Sequence, residues 1–87
     1  MPEMKYYIVY ANWKPELQGQ PEDIKKAIEK YTKVVEDAGC KVLLWGAALG
    51  VPENALCVIK GSPDNYLKLL PAAAPFTNTR THVVIKF

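Results

Sequence analysis

The chain has 87 residues, 49% hydrophobic, 23% charged and 10% aromatic. That composition excludes intrinsic disorder, and a chain this long buries roughly 64% of its unfolded surface, enough for one core and a single domain over residues 1–87. A net charge of +2, with the basic residues dispersed, gives no footprint for a nucleic-acid partner.

The first run, Tyr6-Tyr7-Ile8-Val9-Tyr10-Ala11, is β-branched and aromatic throughout, the pattern of a strand covered on both faces. Six apolar residues are too few for a signal-peptide core or a membrane span, so a cytoplasmic protein with no membrane partner is expected. Trp13-Lys14-Pro15 ends the strand. Pro21, followed by Glu22 and Asp23, opens a helix. Ile24, Ala27, Ile28, Tyr31, Val34, Val35 and Ala38 recur at spacings of three and four, which places one apolar stripe on one helix face. On the other side Lys25, Lys26, Lys30 and Lys33 interleave with Glu22, Glu29, Glu36 and Asp37, the pattern of a solvated face. Gly39 stops the helix and leaves Cys40 partly accessible.

Residues 42–49 are apolar, short and bounded by glycine, and read as a second strand. Gly50-Val51-Pro52-Glu53-Asn54 forms a loop, and residues 55–60 return as a third strand in which Cys57 acts as a small hydrophobe. With two isolated cysteines and one histidine, neither a metal site nor a structural disulfide is expected. Ser62-Pro63-Asp64 starts a second helix, with Tyr66, Leu67, Leu69 and Leu70 on its apolar side and Pro71 at its end. Residues 72–75 link it to a fourth strand from Thr79 to the C-terminus. The order β-α-β-β-α-β with right-handed crossovers predicts an α+β, ferredoxin-like fold: a four-stranded antiparallel sheet with two helices on one face.

Two helices cover only one face of such a sheet, yet both parities of the first and third strands are apolar. An uncovered apolar face invites aggregation, and the simplest cover is a second copy around a two-fold axis. A homodimer through the open sheet face is therefore expected. The alternative cover is a ligand lodged in a groove of the monomer.

The opening Met4-Lys5-Tyr6-Tyr7-Ile8-Val9 with Asn12-Trp13-Lys14-Pro15, then Leu43-Leu44-Trp45-Gly46 and the final Thr79-Arg80-Thr81-His82-Val83-Val84, resembles the dimeric α/β barrel superfamily, in particular its small single-domain members of the GYD type. The resemblance implies a dimeric α/β barrel and no transferable chemistry. The wider superfamily includes cofactor-independent monooxygenases and haem-degrading enzymes, the latter similar in using an asparagine, a tryptophan and a histidine around a pocket. Asn12, Trp45 and His82 match those residue types. The histidine of those enzymes comes from a helix, however, and residues 62–70 contain none; no cofactor is expected.

Strand parity then outlines a site. Thr81, Val83 and Ile85 face the helices, which turns Arg80, His82 and Val84 to the open side. Placing Val9 and Ala11 under the helices leaves Tyr6, Ile8, Tyr10 and Asn12 on that same side. Trp45 is assigned to it as the aromatic contribution of the second strand. The expected product is a pocket for a small aromatic or amphipathic molecule, with Tyr6, Ile8, Tyr10, Trp45 and Arg80 as binding residues. In the enzymatic alternative, an oxygenase or isomerase, His82 is the base and Asn12 or Arg80 stabilises an oxyanion. Each residue also has a plain structural role open to it: His82 as a dimer contact, Arg80 as the partner of an acid across the dimer, Asn12 as a turn former. No nucleophile triad is present, because one histidine serves the whole chain.

Overall fold

A computed structural model describes residues 4–70 and 74–85. Strand β1 (Lys5–Trp13) leads through a short 3-10 turn at Pro15–Leu17 into helix α1 (Pro21–Asp37); β2 (Lys41–Gly46), β3 (Ala55–Gly61), helix α2 (Pro63–Leu67) and β4 (Phe76–Val84) follow. All pairings are antiparallel and the sheet order is β2-β3-β1-β4. This mixed α+β arrangement is compatible with the ferredoxin-like order expected from the sequence.

The residues that start and stop α1 explain its bounds. Pro21 occupies the first turn with Glu22 and Asp23 beside it, where the missing N–H costs nothing and negative charge meets the positive helix end. At the other end Gly39 takes φ +86, its N–H donates to the Glu36 carbonyl, and Cys40 N–H donates to the Val35 carbonyl. Those two bonds are the Schellman arrangement, which satisfies carbonyls left over by the helix. Helix α2 is capped by Ser62, whose hydroxyl accepts from the Asn65 N–H at 3.2 Å.

The core lies between the helices and one face of the sheet. Tyr7, Val9 and Ala11 of β1 and Ala55, Cys57 and Ile59 of β3 alternate inward, and Tyr31 and Val35 of α1 meet them with Leu69 and Phe76. Tyr7 stacks on Tyr66 of α2, with ring centroids 3.9 Å apart. Both helices therefore sit on the same face. No helix among the described residues is long and apolar enough to cross a membrane.

Several boundaries differ from the sequence reading, for identifiable reasons. Strand β2 stops at Gly46 because Gly46 opposite Leu56 is its last pair, and residues 47–49 have no partner. Strand β1 runs through Trp13 rather than ending before it, which gives Phe76 a partner and starts β4 three residues ahead of Thr79. Helix α2 proper is only five residues, continued by turns to Leu70. Cys40 is buried, not accessible, with its sulfur packed against the backbone of Gly61. The stop assigned to Pro71, the first half of the link at 72–75 and the last two residues of the fourth strand lie outside the described residues.

Candidate functional site

The register settles which side chains share the open face. Tyr6 pairs with Val84, Ile8 with His82, Tyr10 with Arg80 and Asn12 with Asn78 across β1 and β4. On the other flank Tyr6 pairs with Lys60, Ile8 with Val58 and Tyr10 with Leu56. Tyr6, Ile8, Tyr10, Asn12, Arg80 and His82 thus stand together, as expected from parity. Leu44, opposite Val58, extends the apolar middle to the sheet edge and is 53% exposed.

Trp45 does not belong to this face. It pairs with Cys57, an inward residue, and its indole N–H donates to the Thr32 hydroxyl of α1 at 3.0 Å. Its ring lies among Trp13, Tyr31 and Phe76, with centroids about 6 Å away. The cause is an irregularity between Val42 and Leu44. One extra residue, Leu43, reverses the side-chain parity beyond it, so Val42 and Trp45 both face the helices. Asn12 and His82 therefore lie on the open face and Trp45 on the helix face, so the three residue types compared with haem-degrading enzymes do not meet around one pocket.

The polar edge of the open face is a connected cluster. Glu53, on the β2–β3 loop, accepts two hydrogen bonds from Arg80, both at 2.9 Å, through Nε and Nη2. This forked pair is the strong form of an arginine–carboxylate contact. It holds the Glu53 carboxyl down at about 2, chiefly through the hydrogen bond from Arg80, against the opposing pull of burial. The Arg80 guanidinium also lies 4.6 Å from the Tyr10 ring centroid, a cation–π contact. Its third nitrogen, Nη1, is 3.1 Å from His82 Nε2. A guanidinium has no acceptor, so Nε2 accepts and the imidazole carries its proton on Nδ1. His82 in turn meets Tyr10 edge to face at 5.7 Å.

This arrangement defines what the residues can do. The lone pair that a general base needs is engaged by Arg80, and all three Arg80 nitrogens already donate. The acid that pairs with Arg80 belongs to the same chain, rather than lying across a dimer. Asn12 is likewise occupied: its amide donates to Asn78 Oδ1 at 3.0 Å and accepts from the Asn54 N–H at 3.2 Å, while Asn54 Oδ1 accepts from the Trp13 N–H. It ties the end of β1 to β4 and to the β2–β3 loop, so its structural role holds.

Neither cysteine supplies a nucleophile. Burial pushes the Cys57 thiol up to about 12 and raises that of Cys40 as well, so both stay protonated at neutral pH. Among the described residues no group of three or more histidine, cysteine, aspartate or glutamate side chains is placed to hold a metal ion.

Glu53 is the member of the open-face polar cluster that the sequence reading left in a loop. The available signal was its isolation, since it is the only charged residue between Lys41 and Lys60. A single charge among those eighteen positions calls for a partner, and Arg80 is that partner. No family model, curated protein or solved structure matches the chain.

Proposed function

We propose that the chain is a small binding protein that works as a homodimer of the dimeric α/β barrel kind, two open sheet faces enclosing a pocket for a small aromatic or amphipathic molecule. One observation carries this reading: Tyr6, Ile8 and Tyr10 of β1, with Leu44, Leu56 and Val58 on the neighbouring strands, form a continuous apolar face that neither helix covers. Charged groups border it at opposite corners, Lys41 and Lys60 at one and Arg80 with Glu53 at the other. An apolar middle with a charged border is the anatomy of a protein interface.

The size suits a second copy. Four strands of this length span roughly 19 by 24 Å, so two faces bring together roughly 900 Å² before side-chain relief is counted. That approaches the roughly 1,000 Å² at which specific association begins. A two-fold axis also sets each patch against itself, which a flat sheet accommodates without a complementary shape elsewhere on the molecule. The pocket wall would be Tyr6, Ile8 and Tyr10, with Arg80 and His82 at the rim. Because Glu53 and Tyr10 already fix Arg80, the rim is rigid before any ligand arrives, which lowers the ordering cost of binding.

Light scattering behind a sizing column tests the assembly, with an expected mass twice the 9.7 kDa of the chain. A monomer at micromolar concentration overturns it. Anilinonaphthalene sulfonate, an amphipathic aromatic anion, tests the pocket: saturable fluorescence that falls in Tyr10→Ala is expected. A dimer crystal structure with no residual cavity between the sheets overturns the binding half.

A further inference from the structure

On the helix side, the 3-10 turn, α1 and residues 74–75 enclose a pocket of about 260 Å³. Its position owes nothing to the open face, and the proposed dimer leaves it unused. The Lys14 N–H donates to the Pro75 carbonyl at 3.0 Å, which fixes one wall. Leu17, Ala27 and Val34 supply apolar surface, and Lys14, Lys30 and Glu16 stand around the mouth. No described carboxylate lies within 4.0 Å of either ammonium.

The floor contains the informative group. Tyr31 is only 9% exposed, its ring held edge-on against Trp45 and Phe76. Its hydroxyl makes no hydrogen bond, whereas every fully buried polar side-chain atom among the described residues has a partner. The hydroxyl is therefore reached from outside, and the pocket that Tyr31 lines is the way in. Burial pushes Tyr31 up to about 12, so it keeps its proton and presents a donor. An accessible hydroxyl donor without a partner, on a largely buried ring, in a pocket that Lys14 and Lys30 also line and whose other walls are apolar, is a binding constellation.

We propose that this pocket binds a small monocarboxylate, with the Tyr31 hydroxyl, Lys14 and Lys30 around the carboxylate and the hydrocarbon against Ala27 and Val34. The volume of about 260 Å³ suits a short-chain carboxylate, for which heptanoate serves as the probe. Glu16 at the mouth repels a second negative charge and selects the monoanion over a dicarboxylate.

Titration of the ¹⁵N-labelled chain with sodium heptanoate, followed by amide shifts, tests the site. Saturable shifts centred on Ala27, Lys30, Tyr31 and Val34 are expected at millimolar concentration, with heptanol binding at least tenfold more weakly. Tyr31→Phe, which keeps the packed ring, weakens heptanoate about fivefold, whereas Glu16→Gln tightens it about twofold. Equal binding of heptanol, shifts confined to the open face, or no saturable shift overturns the proposal. Light scattering on the same samples keeps this outcome separate from that of the dimer: the site stands or falls whatever the mass.

Discussion

Val58→Lys probes the open face where a second copy would press hardest. Val58 lies on β3, one of the two central strands, flanked by Leu44 on β2 and Ile8 on β1, and is half-buried in the single chain. Completing the burial of a valine recovers about half of the roughly 1.5–2 kcal/mol that full burial provides. A two-fold interface contains the residue twice, which gives about 1.5–2 kcal/mol per dimer. Two lysines brought towards one another across the axis add desolvation and repulsion, so the loss is about 2–3 kcal/mol, or about 30- to 150-fold in the dimer dissociation constant. The monomer loses little, because a lysine on a solvated sheet face changes stability within the ~1 kcal/mol span of strand propensities. Sedimentation equilibrium over a hundredfold concentration range measures the first quantity and urea unfolding of the monomer the second. Leu67→Lys, on α2 and away from the open face, is the control. An unchanged dimer constant in Val58→Lys, or an equal loss in Leu67→Lys, refutes the reasoning.

Acid titration reports on Glu53. Its folded-state value of about 2 lies below the ordinary carboxylate value, so its contribution is full above about pH 4.5 and is lost as pH falls towards 2. The stability difference between the wild type and Glu53→Gln, followed by thermal melts, should be constant at neutral pH and shrink across that window; a difference independent of pH contradicts the Arg80 pairing. Gly39→Ala should cost about 1–2 kcal/mol in urea unfolding, because φ is +86 and the new methyl would sit 2.6 Å from Asn65 Nδ2. Asn65→Ala should relieve the steric part of that cost and not the backbone part. Ile59, 1% exposed at the centre of the core, should lose about 2–5 kcal/mol as Ile59→Ala and about 0.5–1.5 as Ile59→Val. Similar losses for the two variants would mean that the site collapses around the cavity.

The legible parts of the sequence were those governed by local chemistry. The Ser62 cap, the Pro21 entry and the Gly39 exit each follow from one residue's donors or backbone freedom, and each stands where expected. The faces of β1 and β4 were also legible, since both run without irregularity from Tyr6 to Ala11 and from Thr79 to Val84. Trp45 was not, because the bulge at Leu43 depends on how β2 meets β3. Within residues 42–45 every side chain is apolar, so no alternation betrayed the extra position. The links Arg80–Glu53 and Asn12–Asn78 join residues 27 and 66 positions apart. Residue type suggested that these groups needed partners, but only the fold chose which ones.

The placement of Trp45 also sorts the chain's optical reporters by face. Both tryptophans lie on the helix side, their rings 6.0 Å apart and within 16° of parallel, close enough to couple electronically. Tryptophan emission and the exciton band in near-ultraviolet circular dichroism therefore follow the packing of α1 on the sheet. Tyr6 and Tyr10, on the opposite side, are the chromophores that a second copy would touch. Unfolding and association can thus be watched separately in one unlabelled sample: a tyrosine signal that changes with concentration while the tryptophan signal stays still is the spectroscopic signature of pairing by the open face.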